Sequence, residues 1–121
     1  MVLGMDHIAV IVSVEKSVDF YKRLGFKEVC RKDRGYDCVV ILMGYSEKLE
    51  IYIDATHPPR VDKPEAMGLR HLALKVDNLE KTLKELKLEE FNVKVEPIKE
   101  VNGERWTFLK DPDGLPIELR E

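Results

Sequence analysis

Short runs of apolar, branched and aromatic residues recur along the chain, several of them alternating with polar residues, and each predicts a β-strand. In the first half the runs are IAVIV, FKEVCRK, CVVILMG and LEIYID. In the second half they are LALKV, NVKVEPIKE, RWTFLKD and PIELR. Each half of the chain therefore contains four predicted strands.

A helix is predicted between the first and second strand of each half, because apolar residues recur there every three to four positions. The first helix covers residues 14 to 24, with Ser13 as its N-cap and Gly25 at its end. The second covers about residues 78 to 88, where Asp77 and Glu80 resemble a capping box. Each half thus has the predicted element order βαβββ.

The segment ATHPPRVDKPEAMG separates the two halves, and its three prolines predict an exposed connection without regular pairing. We therefore expect an α+β fold of two tandem βαβββ modules that form one curved mixed sheet. The first module covers about residues 5 to 54, the linker about 55 to 68 and the second module about 69 to 121. The whole chain of 121 residues is expected to form a single domain.

Two histidines and two glutamates occupy matching places in the halves: His7, Glu50, His71 and Glu118. The separation between the histidines is 64 residues and that between the glutamates is 68, which fits a duplicated plan with the difference absorbed by one loop. Strand alternation turns all four side chains away from the apolar face, so they can line one concave surface. Taken singly, a strand histidine is usually hydrogen-bonded core and a strand glutamate a solvated side chain. Together, their imidazoles and carboxylates suit one divalent metal ion, with zinc or nickel expected first and cobalt, manganese or iron as alternatives.

Charge and composition exclude several other classes of protein. The 20 basic and 23 acidic side chains are mixed along the sequence and give a net charge of -3, so no nucleic-acid surface is indicated. The apolar runs are too short to cross a bilayer, and the first residues do not resemble a signal peptide. Cys30 and Cys38 lack the CxxC spacing of a redox motif, which fits reduced cysteines in the cytoplasm.

Four segments, DHIAVIV, SVDFYKRLGF, LRHLALKV and DPDGLPIEL, resemble signatures of the vicinal oxygen chelate (glyoxalase/bleomycin resistance/dioxygenase) superfamily, and the glyoxalase I group looks closest. The resemblance implies two βαβββ modules around a metal and the His, Glu, His, Glu ligand set of glyoxalase I. It also implies a homodimer. The expected activity is that of a metal-dependent lyase or isomerase acting on a small α-hydroxycarbonyl or hemithioacetal through a metal-stabilised enediolate.

Candidate roles follow for individual residues. Glu118 is the first choice for the catalytic base and Glu50 the second. Ile11 stands where glutathione-using glyoxalases commonly have an arginine, so the thiol is left open. An extradiol dioxygenase, an epimerase and a non-catalytic small-molecule binding or resistance protein are alternative functions on the same fold. The candidate substrate contacts are Tyr52, Arg70, Arg105 and Trp106.

Overall fold

The two halves of the chain fold with the same element order in the computed structural model, which describes residues 1–121. Contacts divide the chain into two units, Met1–His57 and Pro58–Glu121, and the division falls inside the predicted linker. Each unit consists of a strand, a helix and three further strands. The predicted pair of βαβββ modules is therefore confirmed.

The first unit contains one helix and four strands in a mixed sheet. The strand order is β1-β4-β3-β2, in which β1 runs parallel to β4 and the other neighbours are antiparallel. The elements are β1 (Ile8–Val12), α1 (Glu15–Arg23), β2 (Lys27–Asp33), β3 (Cys38–Met43) and β4 (Lys48–Ile53).

The second unit repeats this topology. Its strand order is β5-β8-β7-β6, again with the first strand parallel to the last. A short 3-10 helix, Leu88–Phe91, follows its α-helix. The elements are β5 (Leu72–Lys75), α2 (Leu79–Leu86), β6 (Lys99–Val101), β7 (Glu104–Lys110) and β8 (Pro116–Arg120).

The register of the parallel pairs is also repeated. Ala9 pairs with Glu50 in the first unit, and Ala73 pairs with Glu118 in the second. In both units the histidine precedes that alanine by two residues, and it lies just before the strand rather than within it as predicted. The parallel pairing therefore brings residues more than forty positions apart to the same end of each sheet.

Alternate strand residues build the core of each unit, as expected where one face of a sheet is covered and the other is not. Phe20 and Tyr21 of α1 are fully buried and pack edge to face. The buried strand residues of the first unit include Val10, Val12, Val40, Leu42, Leu49 and Ile51. Those of the second unit include Leu72, Leu109, Ile117 and Leu119, together with Leu79 of α2.

The helix ends differ in part from the sequence prediction. Gly25 does end α1, with a positive φ of 113° that side chains rarely adopt. At the other end Val14, not Ser13, is the N-cap residue, and the Val14 side chain makes no capping hydrogen bond. In α2 the cap is Asn78, not Asp77, because its extended backbone lets its Oδ1 accept the Lys81 N–H at 2.8 Å.

The predicted strand NVKVEPIKE is largely wrong, since only its last residues enter β6. Asn92 has a left-handed backbone that interrupts the extended conformation, and Pro97 has no N–H to donate. The segment is instead fixed to β7 at Glu96, whose N–H donates to the Phe108 carbonyl at 2.9 Å. The Glu96 carbonyl accepts the hydroxyl of buried Thr107 at 2.6 Å.

Candidate metal centre

His7 and Glu50 lie side by side at one end of the first sheet. The Nε2 atom of His7 is 3.2 Å from Oε2 of Glu50, and the two side chains are 34% and 17% exposed. Glu50 lies on the face opposite to buried Ile51, because side chains alternate along a strand, and His7 contacts it on that face. The parallel register thus creates a nitrogen–oxygen donor pair that remains accessible to a small ion.

His71 and Glu118 form the equivalent pair in the second unit. Here Nε2 of His71 is 3.9 Å from Oε1 of Glu118, and the side chains are 24% and 12% exposed. The ring of Phe108 packs edge to face against the His71 ring, with centroids 5.1 Å apart, and limits its rotation. All four predicted ligands therefore belong to two matching pairs, one in each unit.

Glu50 is held by a neutral hydrogen-bond donor. The hydroxyl of Tyr52, two residues along β4, donates to Oε1 of Glu50 at 3.1 Å and leaves Oε2 directed towards His7. This hydrogen bond, followed by desolvation, raises the pKa of Tyr52, because ionised Tyr52 would face the Glu50 carboxylate. The Arg34 guanidinium lies over the Tyr52 ring at 5.1 Å and is itself bonded to Asp37.

Glu118 has a cation at the equivalent position. Arg120, two residues along β8, places Nη1 3.7 Å from Oε2 of Glu118. Its guanidinium also pairs with Glu104 at 2.7 Å and lies over the Trp106 ring at 5.1 Å. The two carboxylates therefore have different neighbours, a phenol in one unit and a guanidinium in the other.

The residue before each histidine also differs between the units. Oδ2 of Asp6 is 2.7 Å from Nδ1 of His7. This hydrogen bond, and next the charge of Lys48 at 3.8 Å, hold the pKa of Asp6 below its usual range. In the second unit Arg70 bonds to Glu65 at 3.1 Å and places Nη1 3.5 Å from Nδ1 of His71.

Sequence reasoning missed Asp6. Neighbours along a strand point to opposite faces, so Asp6 would not be expected to contact His7. The residues before β1 are not bound by this alternation. The signal that was available is the adjacency of the two residues in DHIAVIV.

The candidate substrate contacts are placed differently from one another. Tyr52 contacts Glu50, Arg70 adjoins His71, and Trp106 shares the Glu118 face through its pairing with Arg120. Arg105 lies on the opposite face of the second sheet.

Arg105 is paired there with Glu80 of α2 and, at 2.8 Å, with Glu121. Glu121 also accepts the backbone N–H of Leu79 at 2.9 Å. Arg105 thus joins β7 to the start of α2.

The donor chemistry fits a divalent metal ion. One ligand atom from each of Asp6, His7 and Glu50 lies within 4.8 Å of the others, and His7 and Glu50 are the candidate ligands among them. Imidazole nitrogen and carboxylate oxygen are donors that zinc, nickel, cobalt, manganese and iron accept. A His–Glu pair alone supplies two of the three or four protein donors that such ions usually take.

A chain of two βαβββ modules, each carrying a His–Glu pair, falls in the class of vicinal oxygen chelate folds that its sequence resembles. The family model of the Glyoxalase/Bleomycin resistance protein/Dioxygenase superfamily matches residues 4–119, and the chain belongs to this superfamily. It is 41% identical to protein YwkD of Bacillus subtilis (strain 168), covering 98% of this chain and 96% of that protein. It is 38% identical to protein YaeR of Escherichia coli (strain K12), with coverages of 97% and 95%.

Solved structures agree with this assignment. A glyoxalase family protein from Enterococcus faecalis superposes with a TM-score of 0.85 at 35% identity, covering 98% of both chains. More distant structures share the fold alone. A mutant of the fosfomycin resistance protein FosX from Listeria monocytogenes, complexed with Mn(II) and 1S,2S-dihydroxypropylphosphonic acid, has a TM-score of 0.77 at 16% identity, with coverages of 99% and 93%. TnmS3, an antibiotic binding protein from Streptomyces sp. CB03234, has a TM-score of 0.65 at 22% identity, with coverages of 99% and 98%.

None of the helices has the length and apolar character needed to span a membrane.

Proposed function

We propose that this chain is a glyoxalase I-like lyase or isomerase in which His7, Glu50, His71 and Glu118 together bind one divalent metal ion. The observation that carries the proposal is the presence of equivalent His–Glu pairs at equivalent registers in the two units. Neither pair is a sufficient ligand set by itself. An ion that uses both pairs receives four protein donors and keeps positions for two adjacent oxygens of a substrate.

The ion we expect first is zinc or nickel, with cobalt, manganese or iron as alternatives, because all of them accept imidazole and carboxylate ligands. The Mn(II) complex of FosX supports a divalent ion on this fold. When bound, such an ion acts as a Lewis acid on the substrate oxygens and so eases loss of a proton from the adjacent carbon.

Glu118 is our first choice for the group that accepts this proton. Glu50 is held by the Tyr52 hydroxyl at 3.1 Å and lies 3.2 Å from His7. Glu118 has only the longer contacts, 3.9 Å to His71 and 3.7 Å to Arg120. Its carboxylate is therefore freer to turn towards a substrate carbon, and Glu50 remains the second choice.

The proposed substrate is a small α-hydroxycarbonyl or a hemithioacetal. Tyr52, Trp106 and Arg70 are its proposed contacts, whereas Arg105 is left out because it is engaged with α2. Ile11 pairs with Tyr52 across β1 and β4 and is 52% exposed on the same face. An apolar residue there provides no partner for the carboxylates of glutathione, so the thiol is left open to assay.

We also propose that the protein acts as a homodimer in the cytoplasm. The apolar residues Met1, Val2, Leu3 and Met5 are 81% to 111% exposed, and such a cluster favours burial against a second chain. Both cysteines are free, as is usual in a reducing compartment. Sedimentation equilibrium tests the dimer, and a monomeric mass at micromolar concentration contradicts it.

The decisive experiment begins with metal analysis of the protein purified without added ions. We expect about one ion per chain after loading. The stripped protein is then reloaded with each of the five metals and assayed with methylglyoxal and a series of thiols, glutathione among them. Glu118→Gln should lower activity at least ~100-fold, the usual contribution of a general base, while the exposed Glu89→Gln should not.

Two results contradict the proposal. A metal content unchanged by His71→Ala removes His71 from the site. A loaded protein that is inactive with every thiol excludes the lyase activity, and cleavage of catechols that requires iron and oxygen assigns the chain to the dioxygenases instead.

A further inference from the structure

The two ring nitrogens of His7 face different partners. Nδ1 is 2.7 Å from Oδ2 of Asp6, and Nε2 is 3.2 Å from Oε2 of Glu50. An ionised carboxylate can only accept hydrogen bonds, so the short contact to Asp6 requires a proton on Nδ1. Nε2, which faces Glu50, is then the ring nitrogen that would bind an ion lying between His7 and Glu50.

Asp6 is placed to orient the ring rather than to bind the ion itself. The lone-pair directions of the two ring nitrogens diverge, so a carboxylate bonded to Nδ1 lies behind the ring relative to an ion on Nε2. Lys48, which is 3.8 Å from the same Asp6 oxygen, helps to keep the carboxylate there. Metal-binding histidines commonly donate their second N–H to a carboxylate in this way.

The second unit has the opposite arrangement. The residue before His71 is Arg70, whose Nη1 lies 3.5 Å from Nδ1 of His71. A guanidinium can only donate, so Arg70 offers Nδ1 of His71 no hydrogen-bond acceptor of the kind that Asp6 offers His7. Nε2 of His71 faces Oε1 of Glu118 at 3.9 Å.

We propose that Asp6 is a positioning residue that fixes the Nδ1–H tautomer of His7 and so strengthens metal binding by this histidine. The inference rests on the proposed metal site and adds a residue to it. The two pairs have the same ligand residues, but only His7 has such a positioning residue.

The first experiment needs no metal. Nitrogen-15 NMR of the stripped protein, recorded at alkaline pH where histidines are neutral, reports which ring nitrogen carries the proton. We expect a protonated Nδ1 in His7. Asp6→Ala should shift the His7 proton towards Nε2 and leave the His71 signals unchanged.

The second experiment measures zinc affinity by competition with a chromophoric chelator. Asp6→Ala should weaken zinc binding about 10- to 100-fold, as loss of such partners usually does. Asp6→Asn keeps an oxygen that can accept from Nδ1, so it should recover part of this loss. The matched control is Arg70→Ala, which removes the equivalent residue of the second unit and should not weaken binding.

The outcomes separate this inference from the proposed function. A wild-type protein that binds no zinc overturns the metal site, whereas the NMR result still decides the tautomer. Asp6→Ala with wild-type affinity and an unchanged His7 spectrum overturns the role of Asp6 and leaves the metal site standing. If Asp6→Asn is as weak as Asp6→Ala, the loss is one of charge alone, and positioning is refuted.

Discussion

At the scale of single residues, the candidate ligands are repeated but their neighbours are not. Glu50 and Glu118 occupy the same register position, yet one accepts a hydrogen bond from Tyr52 and the other lies beside Arg120. Charge-assisted contacts of this kind depend on pH, and the clearest example lies away from the candidate site. Glu28 accepts two hydrogen bonds from Arg31 and forms an ion pair with Lys22, each at 2.8 Å.

These contacts, first those with Arg31 and then that with Lys22, lower the pKa of Glu28 from 4.5 to about 2. Between pH 4.5 and about 2 the unfolded chain therefore binds more protons than the folded chain. The stabilisation that ionised Glu28 provides is complete above pH 4.5 and is lost as the pH falls to about 2. Glu28→Gln should lower the free energy of unfolding by about 1 kcal/mol at neutral pH, a value limited by solvent screening. The difference from wild type should vanish near the lower pKa.

Urea unfolding across this pH range measures the effect, and Glu89→Gln is the control for removing an exposed glutamate. A difference between Glu28→Gln and wild type that is constant with pH contradicts the assignment of the effect to ionised Glu28.

The candidate site was predictable where it depends on register and was not predictable where it depends on side-chain rotation. Alternation placed Glu50 and Glu118 on the face opposite the buried strand residues, where the structure has them, because neighbouring apolar residues fix that face. Arg105 follows the same rule, but its partners Glu80 and Glu121 are distant in sequence and gave no local signal.

At the scale of elements, α2 shows which of two neighbouring residues becomes the N-cap of a helix. Asn78 and Asp77 are both good N-cap residues, so the sequence offers two positions one residue apart. In the structure Asn78 is the N-cap residue. Glu80 forms an ion pair with Arg105 and does not complete a capping box.

Asn78→Ala should therefore destabilise the protein by about 1 kcal/mol, because it leaves the Lys81 N–H without its acceptor. Asp77→Ala is the matched control and should lower the free energy of unfolding by no more than a few tenths of about 1 kcal/mol. Chemical unfolding monitored by circular dichroism compares the two variants. Equal losses, or a larger loss for Asp77→Ala, contradict the cap observed here.

Elements with strong periodicity were predicted well and those with mixed signals were not. Helices predicted at residues 14 to 24 and 78 to 88 are found at Glu15–Arg23 and Leu79–Leu86. The failure at residues 92 to 98 has a physical cause, since its alternating valines suggest a strand while Pro97 and the backbone of Asn92 prevent continuous pairing. Long-range bonds to β7, which no local pattern reveals, decide its path.

At the scale of the whole molecule, two units with one topology present two equivalent donor pairs. The proposal that both pairs bind the same ion has a thermodynamic consequence. Removing either histidine should abolish most of the affinity, and removing both should add little, because the energies of ligands that share one ion are not additive.

We expect His7→Ala and His71→Ala each to lose most of the rise in Tm that excess zinc produces in the wild type. The double variant should lose no more than the single variants within error. Differential scanning calorimetry with and without zinc, together with metal content per chain, measures both quantities. Two separate sites would instead leave each single variant with half of the wild-type metal and would give additive losses.

The repeated strand order also bears on how the present sequence could diversify. In a symmetric pair of half-length chains, every substitution is expressed twice, so both carboxylates would keep identical surroundings. Joining the halves into one polypeptide removes that constraint. One copy can then keep Asp6 and Tyr52 while the other carries Arg70 and Arg120, and the two His–Glu pairs acquire chemically distinct surroundings.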